Sequence, residues 1–238
     1  MEEFIMTRLP GYKLLEPHSI AFRAVCLGAL LQKDHLLAAS NHIDKQKSGP
    51  KVNRLDREES QRMITFALSK NLRNFLFRPK NYGTHDPVAT RRWAVDELAV
   101  QLWSLGVIEK KPLVEVSFTI DELCAKIPFS GNLVKFVNKA RLRSIAELYP
   151  LEVALDVYSY RATLILGDFD FDGNMKDRIL KKAKDLFDSG YLVSAPTDDL
   201  VLHDQRMQDV DLFELEQIGE LTSCRTNSLF YVFGKMGR

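Results

Sequence analysis

Three cysteines in 238 residues, Cys26, Cys124 and Cys224, are too few and too widely spaced for a disulfide framework. None forms a Cys-x-x-Cys pair, which excludes a zinc cluster of the usual spacing. Each lies in an apolar or helical context, so the three read as buried, reduced thiols of a cytosolic protein. Long hydrophobic runs are also missing. The longest, Ala24 to Leu31, falls far short of the roughly 18 uncharged residues that a membrane span requires. The chain starts Met1-Glu2-Glu3, acidic where a secretory leader is basic, so no export is expected.

Reactive signatures are lacking as well. There is no Gly-x-Ser-x-Gly elbow, no Gly-x-Gly-x-x-Gly turn and no Walker-type phosphate loop. His18, His35, His42, His85 and His203 are scattered, with no pair at the i, i+4 spacing of a metal clamp. Triads assemble in space, so spacing alone does not exclude one, but nothing local supports it. The adjacent carboxylates Asp96-Glu97 and Glu58-Glu59 point about 100° apart on a helix and make no ready acid–base pair. No catalytic residue is assigned on this basis, and an enzyme is unsupported.

Neither charge sign dominates, because the net charge is +1. The halves nevertheless differ. Residues 1–150 carry 23 Lys+Arg against 16 Asp+Glu, whereas residues 151–238 carry 10 against 16. The total gives no footprint of a strongly basic nucleic-acid binder. The asymmetry does leave an acidic half available to a basic partner.

What is present is helix. Both tryptophans, Trp93 and Trp103, fall in one segment opened by Asp86-Pro87 and closed by Gly106. These are an N-cap side chain, a first-turn proline and a C-cap glycine, with apolar residues at helical spacing between them. Trp93, Trp103 and Gly106 are therefore structural residues of a central helix. Glu16-Pro17 starts an earlier helix reaching Leu37, with Ile20, Ala24, Leu27 and Leu31 on one stripe. Residues 41–53 read as a surface loop, and a helix follows the Asp56 cap until Pro79.

Pro112 breaks the chain, and Leu113 to Phe118 reads equally as a short strand or as a buried extended link. A short helix spans Asp121 to Ile127. Asn132 caps a longer one to about Leu148, and Pro150 starts another through Leu166, apolar almost all round and so buried. A further helix runs from Gly173-Asn174 to Gly190. Tyr191-Leu192-Val193 and Leu200-Val201-Leu202 are expected to pair as a hairpin, and a last helix runs from about Leu212 to Phe233. With seven to nine helices, the expectation is an all-α fold with at most a small β-hairpin. It is read as one helical domain over 1–238, with the region near 112 as the natural subdivision into a basic 1–112 and an acidic 113–238.

Two constellations bear on function. Asp168, Asp170, Asp172 and Asn174 have the Asp-x-Asp-x-Asp-Gly spacing of a calcium loop, which would hold Ca2+ or Mg2+. The twelfth position is Ile179 where a bidentate glutamate should close the shell. A solvated acidic turn before a helix N-terminus is therefore the preferred reading, with no cofactor. The other is cationic: Arg91-Arg92, and Lys135, Lys139, Arg141 and Arg143, residues of the type that contact phosphate. On one continuous helix Lys135 and Lys139 stack a turn apart while Arg141 and Arg143 project elsewhere. Solvated cationic faces are the preferred reading there.

The segment Trp93-Ala94-Val95-Asp96-Glu97 running into Leu102-Trp103-Ser104-Leu105-Gly106-Val107-Ile108-Glu109, after Arg23-Ala24-Val25-Cys26-Leu27, resembles the bacterial domain-of-unknown-function 4272 family. Lys139-Ala140-Arg141-Leu142-Arg143-Ser144 and the buried stretch from Leu151 to Leu166 are similar to that family's later helices. So are Leu200-Val201-Leu202-His203 and the segment Thr222 to Leu229, although the family's final Glu and Trp and its acidic tail are absent here. The resemblance implies a bacterial, cytosolic, mostly helical protein and brings no established activity.

The expected function is non-catalytic: a soluble cytoplasmic protein that binds another protein, of the immunity-like or accessory kind encoded beside toxin, secretion or defence systems. The alternatives are a nucleic-acid-binding module using the basic N-terminal half, and a metal-dependent enzyme around the Asp168–Asp172 loop. No membrane partner is expected, and no motif specifies an oligomeric state.

Overall fold

The computed structural model describes residues 14–32, 62, 87–129, 131–167 and 173–234. Among them the fold is all-α with one small hairpin, as the periodicity predicts. Seven α-helices are present: α1 (Pro17–Leu31), α2 (Pro87–Ser104), α3 (Ile120–Cys124), α4 (Leu133–Asn138), α5 (Ile145–Leu166), α6 (Gly173–Asp188) and α7 (Leu212–Val232). The strands are β1 (Val201–Leu202) and β2 (Gln205–Arg206). The predicted helix after Asp56 and the loop over 41–53 lie outside the described residues.

The chain divides into two compact units that are not its sequential halves. One comprises Leu15–Glu109 with Phe118–Leu142; the other comprises Met1–Leu14, Lys110–Ser117 and Arg143–Arg238. By sequence the first carries 18 Lys+Arg against 12 Asp+Glu, and the second 15 against 20. They are called the basic and the acidic unit.

In the basic unit α1 packs on α2, α3 and α4. Pro17 sits in the first turn of α1, where its missing N–H costs nothing, and Ile20, Ala24, Leu27 and Leu31 face the core. Gly28 marks the closest approach. A Cβ there would lie 2.6 Å from Ile127 Cδ1 and 3.0 Å from the Phe129 ring, so the mid-helix glycine is a packing requirement. α2 is buried on nearly every side from Ala94 to Leu105, with Trp103 fully inside. Gly106 then stops it at φ +66°, a left-handed conformation that glycine adopts without strain. Thr119 caps α3 by accepting from the Glu122 N–H.

In the acidic unit α5 is the central helix, packed along α7 and against α6. Leu148, Leu151, Leu155, Tyr158 and Ala162 are all buried. α6 ends at Asp188, and Gly190 just beyond it has φ +70°. Asp211 caps α7 by accepting from the Glu214 N–H, and Gly234 follows its end at φ +64°. The stops at Gly190 and Gly234 match the local signals in the sequence.

Three local expectations are corrected. The segment after Asn132 is not one helix to Leu148. Asn132 does cap, accepting from the Lys135 N–H, but α4 stops at Asn138 and residues 139–144 are non-helical. Ser144 then starts α5 with a capping box, its hydroxyl and backbone N–H both engaging Glu147 Oε2 at 3.0 Å. Pro150 consequently lies inside α5 rather than at its start. Tyr191-Leu192-Val193 does not pair with 200–202 either. β1 pairs antiparallel with β2 across His203 and Asp204, at φ 48° and 64°. Positive φ at both central residues is what a type I′ hairpin turn requires, and Asp and His tolerate it better than most side chains. The 113–118 segment is an extended link containing a turn, with the Val116 N–H donating to the Leu113 carbonyl at 2.9 Å.

Candidate functional site

Buried charge in both units is spent on architecture. In the basic unit Arg23 of α1 donates from Nε to Glu97 Oε1 of α2, and Gln101 Nε2 donates to the same oxygen at 2.7 Å. Glu97, Gln101 and Ser104 recur at i, i+4 and i+7, a polar stripe on an otherwise apolar helix. Burial pushes the Glu97 carboxyl above its ordinary range, and the Arg23 guanidinium opposes that rise. Sequence reading passed over this pair, because charge in a helix is ordinarily solvated; its one signal was Arg23 within an apolar stripe.

In the acidic unit Arg161 of α5 makes a bidentate pair with Asp199, at 2.8 and 2.9 Å. Asp199 also accepts from the Leu200 N–H at 2.8 Å and the Gln208 N–H at 3.0 Å. Tyr158, one helical turn before Arg161, donates its hydroxyl to the Val201 carbonyl at 2.8 Å. Together they fasten the hairpin onto α5. Arg225 of α7 donates to the carbonyls of Leu113 and Val116, which ties the 110–117 link to this unit.

The cysteines are free and buried, as expected. Burial raises the Cys26 thiol to about 12 and the Cys124 thiol to about 11, so neither offers a thiolate near neutral pH.

The expected cation sites separate. The early end of α4 redirects the chain, so that Arg141 joins Lys135 and Lys139 around one groove of about 660 Å3 in the basic unit. Leu105, Val107, Pro128 and Phe136 form its apolar part, and all three cations are exposed. The 139–144 break thus assembles what a continuous helix would have dispersed. Arg143 leaves this group: it belongs to the acidic unit and pairs with Glu147 at 3.0 Å. Arg92 is exposed on α2, and the side chain of Arg91 lies outside the described residues.

The acidic unit has a groove of its own, about 740 Å3, beside α5 and α6. Asp156, Arg178 and Lys182 line it, and the Tyr160 hydroxyl donates to Met175 Sδ at 3.1 Å. Its mixed charge recommends no single ligand. The same unit exposes two neighbouring apolar side chains, Leu212 at 62% and Phe213 at 69%, on the first turn of α7.

Asp168, Asp170 and Asp172, and the side chain of Asn174, lie outside the described residues. The backbone of Asn174 is in the first turn of α6, where a carbonyl points along the helix toward residue i+4 rather than into a preceding loop. No group of three or more His, Cys, Asp or Glu suited to a metal ion occurs among the described residues. No helix among them is long and apolar enough to cross a membrane. No protein-family model, curated protein or solved structure matches this chain.

Proposed function

We propose that this chain is a binding protein whose partner is another protein, engaged through the groove of Leu105, Val107 and Phe136 rimmed by Lys135, Lys139 and Arg141. One observation carries the reading: three exposed cations of one sign surround a partly apolar depression. Such a surface takes an acidic segment with one or two apolar anchors. The anchors supply affinity by leaving water, and the cations supply encounter rate and orientation. Three buried, free thiols support a reducing compartment, hence the cytoplasm. The resemblance to the domain-of-unknown-function 4272 family, carried by residues 90–108, belongs to the same reading, as does an accessory or immunity-like role.

Fluorescence anisotropy with a short synthetic peptide of glutamates interrupted by leucine and phenylalanine tests it. Binding is expected to weaken about tenfold in Lys135→Glu/Lys139→Glu, since each exposed charge contact is modest. Indifference of the peptide to that variant would remove the groove from consideration.

A second reading has its own observation. Phe136 beside three cations is also the arrangement that stacks a base and neutralises phosphates. A single-stranded oligothymidylate in the same assay separates the two. Tight binding that falls steeply with salt would favour nucleic acid over an acidic protein segment.

A further inference from the structure

The acidic unit exposes a surface with the opposite character to the groove. Leu212 and Phe213 stand out of the first turn of α7, more than half exposed. Glu216 is one helical turn beyond both, at i+4 from Leu212 and i+3 from Phe213, so its carboxylate lies on the same face. Asp209, Asp211 and Glu214 flank the pair; Arg206 is already held by Asp198 and Asp209 at 3.1 and 2.7 Å, and one oxygen of Glu214 lies 3.1 Å from His203 Nδ1. Two apolar side chains in a field of carboxylates are the chemical complement of an apolar depression rimmed by Lys135, Lys139 and Arg141. Contiguous exposed apolar side chains are a common feature of interaction surfaces.

We infer that the occupant of the groove is a second copy of this chain, which inserts Leu212 and Phe213 while Glu214 and Glu216 meet the lysines. The inference rests on the reading of the groove as a protein-binding surface and names its partner. Every copy carries both surfaces, so the contact either closes reciprocally into a dimer or continues from copy to copy. In both cases the association is modest and salt-sensitive, because the attraction between solvent-exposed charges decays over a Debye length of about 8 Å at physiological ionic strength and shortens further as salt is added.

Sedimentation velocity of the full chain across protein concentration, at low and high salt, tests this. The wild type is expected to self-associate at low salt and dissociate as salt is raised. Lys135→Glu/Lys139→Glu and Glu214→Lys/Glu216→Lys should each weaken association about tenfold, and the variant carrying all four reversals should regain it. Phe213→Ser should weaken it at every salt concentration. A wild type that stays monomeric throughout overturns the inference, as does association indifferent to both reversals or a four-fold variant that is not rescued. The acidic peptide distinguishes the two levels. If the wild type is monomeric yet binds the peptide through Lys135 and Lys139, only the second copy is wrong. If the peptide is not bound either, the groove itself is not a protein-binding site.

Discussion

Arg23 in α1 and Glu97 in α2, 74 positions apart, are joined by an ionic hydrogen bond with both side chains at or below 5% exposure. The pair ties the two longest described helices of the basic unit in one register. Gln101 supplies a second donor to the same carboxylate oxygen. A paired counter-charge of this kind is what allows a charge to sit in a core at all.

Arg23→Met is expected to cost about 3–5 kcal/mol at neutral pH, because it leaves a buried carboxylate without its counter-charge. The sign of the pH dependence follows from Glu97. Burial already raises its folded-state affinity for a proton above the ordinary value of 4.5, and removing Arg23 removes the main opposing influence. The folded variant then binds that proton more tightly than the unfolded chain. Its stability is fully present below 4.5 and drains away as pH rises through the folded value. Urea unfolding of both proteins, near neutrality and just below 4.5, should show the deficit shrinking in acid. A deficit of the same size at both would assign the loss to packing alone.

Asp199→Ala should cost a similar amount, about 3–5 kcal/mol, since Arg161 would remain buried while the Leu200 and Gln208 N–H groups lose their acceptor. Asp199→Asn keeps an acceptor oxygen and loses the charge, so it should fall between wild type and Ala. Denaturant midpoints rank the three.

Gly106 and Gly28 should fail differently on substitution. Gly106→Ala meets no atom within 4 Å, and its cost of about 1–2 kcal/mol comes from the left-handed backbone alone. Asn at that position should recover part of the loss. Gly28→Ala instead drives a Cβ to within 2.6 Å of Ile127 Cδ1, for about 1–3 kcal/mol of overpacking. Ile127→Val in the Gly28→Ala background should restore stability; failure to do so would place the strain elsewhere.

Calcium or magnesium should leave the melting temperature unchanged. Ile179 occupies the position of the closing glutamate, and α6 starts at Gly173, so the Asn174 carbonyl lies within the helix. A rise in Tm on adding either ion, abolished by Asp170→Ala, would reverse this assignment.

Many helix boundaries were legible from short-range signals. Pro17, Asn132, Gly106, Gly190 and Gly234 each act within one turn, through a cap, a fixed φ or a permitted positive φ. The all-round apolar pattern of α5 likewise announced its burial. The break at 139–144 was passed over, although Ser144-Ile145-Ala146-Glu147 has capping-box spacing, because Lys139-Ala140-Arg141-Leu142 has good helical propensity and contains no glycine or proline. The stronger start at Ser144, with its reciprocal bonds to Glu147, marks where the helix resumes.

The sequence by itself therefore determined that this chain is helical, where most of its described helices stop, and that its charge is unevenly spread. Those properties depend on residues within a few positions of one another. Tertiary structure alone decided which charges are buried together and which face water. Arg23 finds Glu97, Arg161 finds Asp199, Arg225 reaches Leu113 and Val116, and Arg141 joins Lys135 and Lys139 instead of Arg143. Such pairings are set by distance across a folded unit, where a charge removed from water has few partners within reach, and chain spacing does not encode that distance.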